Sequence, residues 1–205
     1  STGATGPTGP TGADGATNAW GITGTAGTSS TTNFIGTTDN RTFRVRTNNT
    51  QRMIVDSTGN VIVGSTSTTP DATFPEKFLV DCGTTTSVNA IVAKGTINNY
   101  LQLNVQNLSS GSASSSDVVA TANNGDETTN YIDMGINGSG NTSAIMGAAD
   151  DSYIYNVGGD MYMGAGTTGK SYIFMTGGTD PSTNERLRIT GTGNIGINNT
   201  SPGFQ

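Results

Sequence analysis

Arg52-Met53-Ile54-Val55-Asp56-Ser57-Thr58-Gly59-Asn60-Val61-Ile62-Val63-Gly64 reads as two short strands joined by a glycine-containing turn. The unit returns near the other end of the chain, from Arg186 to Asn198, each residue 134 positions after its counterpart. There it runs Arg186-Leu187-Arg188-Ile189-Thr190, Gly191-Thr192-Gly193, Asn194-Ile195-Gly196-Ile197-Asn198. The odd positions are apolar in both copies: Met53, Val55, Val61 and Val63 against Leu187, Ile189, Ile195 and Ile197. Successive side chains of a strand point to opposite faces, so each set of four shares one face, which is expected to be buried. In the second copy the opposite face is polar or small. In the first it carries Ile54 and Ile62, which requires burial on both sides, with a neighbouring subunit as one source of cover.

Working outward, Thr42-Phe43-Arg44-Val45-Arg46 alternates with the period of a half-buried strand. Further short strands are expected at 77–81, 90–94, 100–107, 117–122, 131–136, 143–147, 153–157, 161–164 and 172–176. Gly, Asn, Asp and Ser punctuate them at the spacing of all-β folds. Residues 109–116 read as a Ser/Gly-rich loop. No amphipathic helix is evident.

The first residues carry a different period. Gly3, Gly6, Gly9, Gly12 and Gly15 open five consecutive Gly-X-Y triplets, with Pro7 and Pro10 in X positions. Only glycine fits at the axis of a triple helix, so this spacing points to three chains winding together; the competing reading is a flexible Gly/Thr/Pro linker. So few triplets need a trimerising domain beside them, and the rest of the chain is the candidate. Residues 18–33 form a transition segment. Its Trp20 either plugs the three-fold axis or rests on the next domain.

Composition fits shared cores. Only 32% of the 205 residues are hydrophobic and 12% charged, the polar bulk being uncharged Thr, Ser, Asn and Gly. Such a mix suits short strands and tight turns, and monomers that complete their cores between subunits. A net charge of −6 makes nucleic acid a poor partner. Arg41, Arg44, Arg46 and Arg52 cluster, and are read as a solvated face or as inter-chain ion pairs. Cys82, the single cysteine, excludes an intrachain disulfide and is expected to be a small buried hydrophobe. The absence of histidine removes Ser-His-Asp triads, Cys-His dyads and His-ligated zinc. No run approaches the roughly 18 apolar residues of a membrane helix, so membrane insertion is not expected. No signal peptide is evident, and a start at Ser1 fits a processed or internal piece.

Several residues carry side chains suited to chemistry. Asp150 and Asp151 are adjacent, and on a strand would point to opposite faces, which gives no paired-carboxylate geometry. Asp133, Asp160, Asp180 and Glu185 are scattered, and sequence alone does not bring them together. Asp56-Ser57-Thr58-Gly59-Asn60 offers oxygen ligands but lacks the length and bidentate Glu of a calcium loop, so a self-bonded turn is expected. Asn141 opens a chance Asn-X-Ser sequon. Tyr153, Tyr155, Tyr162 and Tyr172 suit sugar stacking or interfaces, with core or interface packing favoured; Tyr153 and Tyr155 would share a strand face. No residue is given a catalytic, cofactor-binding or metal-ligating role, and no receptor-binding residue is assigned.

The two Arg-led hairpins, the second followed by Thr200-Ser201-Pro202, resemble a motif of bacteriophage tail and head fibres. So do Asn98–Asn107, Ser116–Ala122, Asn130–Asn137 and Gly169–Gly178, and the resemblance spans about residues 33–202. The first copy departs from it, with Val61-Ile62-Val63 where the family often has Gly-Ile-Gly. Nothing matches the self-cleaving C-terminal chaperone of many such fibres. The resemblance implies an elongated homotrimeric all-β fibre. It would have a collagen-like stalk (1–17), the transition (18–33), a small β module with the first hairpin (34–75) and a fibre domain ending in the second (76–205). Trimerised β-sandwich or β-roll modules are expected over an interwoven triple β-helix, because the strands vary in length. The implied function is structural and host-receptor-binding within the virion, the receptor being a cell-surface glycan or outer-membrane protein. The implied partners are the two other copies, other virion proteins of baseplate, tail or capsid, and that receptor. The alternatives are a purely structural spacer or capsid-decorating fibre, a glycan-depolymerising tailspike, and a cellular collagen-like adhesin. The expectation is of a non-enzymatic protein without cofactors.

Overall fold

A computed structural model describes residues 3–4, 6, 24–67, 75–144 and 146–203. Most of the triplet segment and Trp20 lie outside the described residues. The regular structure is almost wholly β: ten strands and one four-residue helix among the described residues. The chain divides into two compact units, Ser1–Thr96 and Ile97–Gln205.

The first unit holds a four-stranded sheet, β1 (Phe43–Thr47), β2 (Thr50–Val55), β3 (Val61–Val63) and β4 (Phe78–Val80), in that order. β1 and β2 are joined through Asn48 and Asn49, at φ 47° and 54°. Two consecutive left-handed residues form the turn whose twist matches a hairpin, and asparagine tolerates that region better than most side chains. β4 pairs parallel with β3, so 78–80 belongs to the first sheet, whereas the sequence reading opened its second module at residue 76.

The second unit holds two three-stranded antiparallel sheets. One is β5 (Ser115–Thr121), β6 (Tyr131–Asn137) and β7 (Ser152–Val157). The other has the order β10-β9-β8, with β8 (Tyr172–Met175), β9 (Glu185–Ile189) and β10 (Ile195–Ile197). The helix α1 (Pro181–Asn184) lies between β8 and β9.

The two copies of the sequence repeat fold alike. Met53, Ile54 and Val55 face Val63, Ile62 and Val61; Leu187, Arg188 and Ile189 face Ile197, Gly196 and Ile195 in the same register. The likeness reaches one strand further than the sequence repeat. β1 on β2 and β8 on β9 each shift register at the residue that leads the repeat, skipping Arg52 in one and Arg186 in the other. Each module is therefore a three-stranded meander with a bulge at an arginine, a device that strengthens local twist.

The core is small. Ile54 and Ile62, cross-strand partners, are 0% and 1% exposed, and with Tyr153 they are the buried apolar side chains among the described residues. This corrects the expected burial of the odd-numbered face. Ile195 and Ile197 are 64% and 74% exposed, and Met53, Val55, Val61 and Val63 are half-buried. In the second copy Arg188 and Gly196 take the places of Ile54 and Ile62. The following turn closes directly over Gly196, where a β-carbon would collide with the carbonyl oxygen of Asn199.

Four expected strands are absent: 90–94, 100–107, 143–147 and 161–164 form no strand among the described residues. Alternation states which side chains share a face, but a strand also needs a partner for its backbone groups. Leu101 and Leu103 keep the pattern while lying 60% and 91% exposed. At the start of the third of these segments, the amides of Thr142 and Ser143 both donate to the Ser112 carbonyl. Cys82 is exposed rather than buried.

Candidate functional site

The β5-β6-β7 sheet has two unlike faces. Its even-numbered positions form an apolar face on which Val118, Ile132, Met134, Ile136 and Ile154 are all about half exposed. Its odd-numbered positions carry Asp117, Tyr131, Asp133, Tyr153 and Tyr155, which line a hollow of about 450 Å³. Register brings them together: Asp117 faces Gly135, which faces Tyr153, and Asp133 faces Tyr155.

Gly135 makes the arrangement possible. A β-carbon there would collide with the Asp117 carboxylate and the Tyr153 hydroxyl. With only hydrogen in that place, Tyr153 reaches across the middle strand and donates to Asp117 Oδ1. Ser115 Oγ donates to Asp117 Oδ2 at 2.5 Å, so both carboxylate oxygens are engaged. The hydroxyls of Tyr131 and Tyr155 share a hydrogen bond of 3.0 Å. The rings of Tyr131 and Tyr155 meet edge to face at 5.9 Å, and those of Tyr153 and Tyr155 at 5.7 Å.

Asp133 differs from its neighbours. It is 7% exposed, and its Oδ1 has no hydrogen-bond partner. Burial raises its pKa above the ordinary carboxylate value, and the charge of Asp117 raises it further. Burial, and then donation to Asp117, pushes the Tyr153 phenol up to about 12. Burial and the bond with Tyr131 likewise raise Tyr155. Asp126 and Glu127 stand at the rim. Asp126 is held ionised by the Thr128 amide first, then by the Thr128 and Thr129 hydroxyls.

Of the carboxylates weighed from sequence, Asp133 alone lies in this hollow. Asp150 and Asp151 sit on the turn before β7 rather than on a strand; Asp150 is left-handed at φ 64°, and Asp151 Oδ2 accepts the Ala148 amide at 2.8 Å. Asp160 is exposed. Asp180 caps α1, accepting from the amide and hydroxyl of Ser182 at 2.9 and 2.7 Å, which lower its pKa. Glu185 is buried and takes Arg188 in a two-pronged contact, 2.6 Å on each arm; the Arg188 hydrogen bonds hold its carboxyl low.

The Asp56 loop is a self-bonded turn. Asp56 Oδ1 accepts from the Thr58 amide, the Thr58 hydroxyl and the Asn60 amide, while Oδ2 accepts from the Asn60 side chain. The Asn60 amide is the main cause of its lowered pKa. In the second copy Thr190 Oγ1 replaces the carboxylate, accepting from the Asn194 amide at 3.0 Å. Asn141 is buried, donating to the Ser114 carbonyl at 2.7 Å, so its amide is committed inside the fold. The arginines form an exposed face with mostly neutral partners, Arg44 on Gln51, Arg46 on Asn49 and Arg52 on Thr47. Arg41 lies 3.8 Å from Asp39. Tyr162 is 90% exposed, and Tyr172 stacks edge to face on Phe174 at 4.8 Å.

Asp117 and Tyr131 were not singled out from sequence. Their strands were recognised, but only register shows that they meet Tyr153 and Tyr155. Among the described residues no group of His, Cys, Asp or Glu is arranged to hold a metal ion. No described helix is long and apolar enough to cross a membrane. Compared with known proteins, the chain matches no family model and no curated protein.

Proposed function

We propose that the chain is a segment of a homotrimeric bacteriophage fibre that projects from the virion and contacts a receptor on the host surface. One observation carries the assembly: the described residues bury only Ile54, Ile62 and Tyr153 as apolar core. Meanwhile Val118, Ile132, Met134, Ile136 and Ile154 form a continuous apolar sheet face open to solvent, and Ile195 and Ile197 stand out from the second hairpin. Contiguous apolar surface of this kind marks an interaction site. The occupants are the two other copies of the chain, a reading supported by the Gly-X-Y triplets, since a collagen-like helix winds three chains together. The strand-patterned segments 90–94 and 100–107, without strand partners among the described residues, would pair between copies.

The receptor role rests on the fibre resemblance and on avidity. Three copies per fibre, and several fibres per particle, convert weak contacts into lasting attachment. The reading is of an adhesive and structural protein without catalysis. The test is adhesion: fluorescently labelled trimer is incubated with candidate host cells, in competition with the intact phage. Saturable binding that blocks infection supports the receptor role. A trimer that ignores cells to which the intact phage attaches would instead make this segment a spacer.

A further inference from the structure

We propose that the hollow on the odd-numbered face of the β5-β6-β7 sheet binds a primary alkylammonium group, with Asp133 as its principal acceptor. The lining holds four carboxylates, Asp117, Asp126, Glu127 and Asp133, and no lysine or arginine. An anionic ligand is therefore repelled, and a cation is drawn in by a field that the walls concentrate. Three phenol rings stand in the same wall, and the faces of such rings attract cations.

The separate observation that points to a ligand is Asp133. More than nine-tenths buried, it lines the hollow with Oδ1 unpartnered. A buried acceptor in that condition costs free energy until a donor arrives. Asp117 does not share this need, because Ser115 and Tyr153 already donate to its two oxygens. Asp126, exposed at the rim, is bonded by its own turn through Oδ1 alone. The site thus has a buried, unpartnered acceptor at its base, flanked by aromatic walls and carrying further negative charge at its rim. An ammonium fits this set of groups best, because it supplies donors and neutralises the charge together. A neutral hydroxyl supplies only the first. The hollow lies within one sheet of one chain, so this inference does not depend on trimer formation.

The experiment is titration of the full-length chain, in low salt, with butylammonium and with neutral butanol, followed by NMR shifts of the Asp133 and Tyr155 amides. Spermidine, glucosamine and the amide of N-acetyl-lysine then separate a free polyamine, an amino sugar and a protein side chain as sources; glucose is the neutral sugar control. Saturable binding of the amines, absent for butanol and glucose and weakened by added salt, is expected. Asp133→Asn is expected to lower affinity by about tenfold, the loss of one charge-assisted hydrogen bond. Should that variant fail to fold, Glu127→Gln at the exposed rim is expected to weaken binding about twofold. Glucose or butanol binding as well as the amines, or unchanged amine affinity in a folded Asp133→Asn or in Glu127→Gln, overturns the proposal. A parallel mass measurement keeps this result separate from that of the trimer.

Discussion

Tyr153 donates its phenolic hydrogen to Asp117 across the full width of the middle strand, over a residue, Gly135, that has no side chain to block it. One hydrogen bond thus ties the two outer strands of a three-stranded sheet. Its removal tests how much of that sheet's order depends on it. Gly135→Ala would force the two groups apart and is expected to cost about 1–3 kcal/mol, as for other over-packed sites. Tyr153→Phe, which leaves Asp117 Oδ1 without its donor, is expected to cost about 1–2 kcal/mol. Urea unfolding of the two variants and of the double variant checks both; strong non-additivity is expected, since each removes the same contact.

Alkaline titration probes the same bond. Tyr153 is raised to about 12 from an ordinary value of 10.0, so its neutral form is favoured in the fold. The linked stability is fully present below pH 10 and is lost as pH rises toward 12. Absorbance at 295 nm should show two late-titrating phenols, Tyr153 and Tyr155, one of which is missing from Tyr153→Phe. An identical titration curve for the two proteins would contradict the buried, bonded phenol.

Acid acts with the opposite sign on the turns. Asp56 and Glu185 both have lowered values, from starting points of 3.8 and 4.5. Their contribution is present above those values and disappears as pH falls through the lower folded ones. Asp133, being raised, runs the other way: its charged form is the disfavoured one, so its protonation on acidification partly offsets the loss. Thermal melts between pH 6 and pH 2 should therefore show a fall in stability that is reduced in Asp56→Asn and in Glu185→Gln.

The repeat supplies its own control substitution. Asp56→Ala removes the four hydrogen bonds that the Asp56 carboxylate accepts in the first turn and is expected to cost about 1–2 kcal/mol. Asp56→Thr installs the residue that the second copy uses at the same place, Thr190, whose hydroxyl accepts the equivalent amide. It should recover a good part of that loss in urea unfolding. Equal stability of the Ala and Thr variants would show that the two turns do not share one design.

The hairpin repeat was legible because its chemistry is local: alternation, a glycine at φ 85° or 90°, and an Asp or Thr that bonds forward to Asn. Strands 131–137 and 152–157 were legible for the same reason. What sequence did not reveal was pairing. The third strand of each repeat module, the parallel addition of Phe78–Val80, and the meeting of Asp117 with Tyr153 all depend on register between distant segments. The segments at 90–94 and 100–107 are the converse, with strand chemistry in place and no strand partner among the described residues. The odd-numbered face of the repeat was recognised as apolar, but apolarity does not state whether its cover comes from the same chain.

Met134 and Ile154 face one another across β6 and β7 on the open apolar side, 53% and 47% exposed. Met134→Lys combined with Ile154→Lys places two charges where the proposed subunit contact would exclude water, at a cost of several kcal/mol if left unpaired. The double variant is expected to sediment as a smaller species than the parent. In an isolated chain these exposed changes would alter little.

In the proposed fibre, three copies complete one another. Light scattering of the full chain, and of a version lacking residues 1–17, tests it most directly. A mass near three times the 20.9 kDa chain is expected in both, because the β region itself would supply the shared apolar surface. A well-folded monomer in both would contradict it, and would return the glycine triplets to the role of a linker.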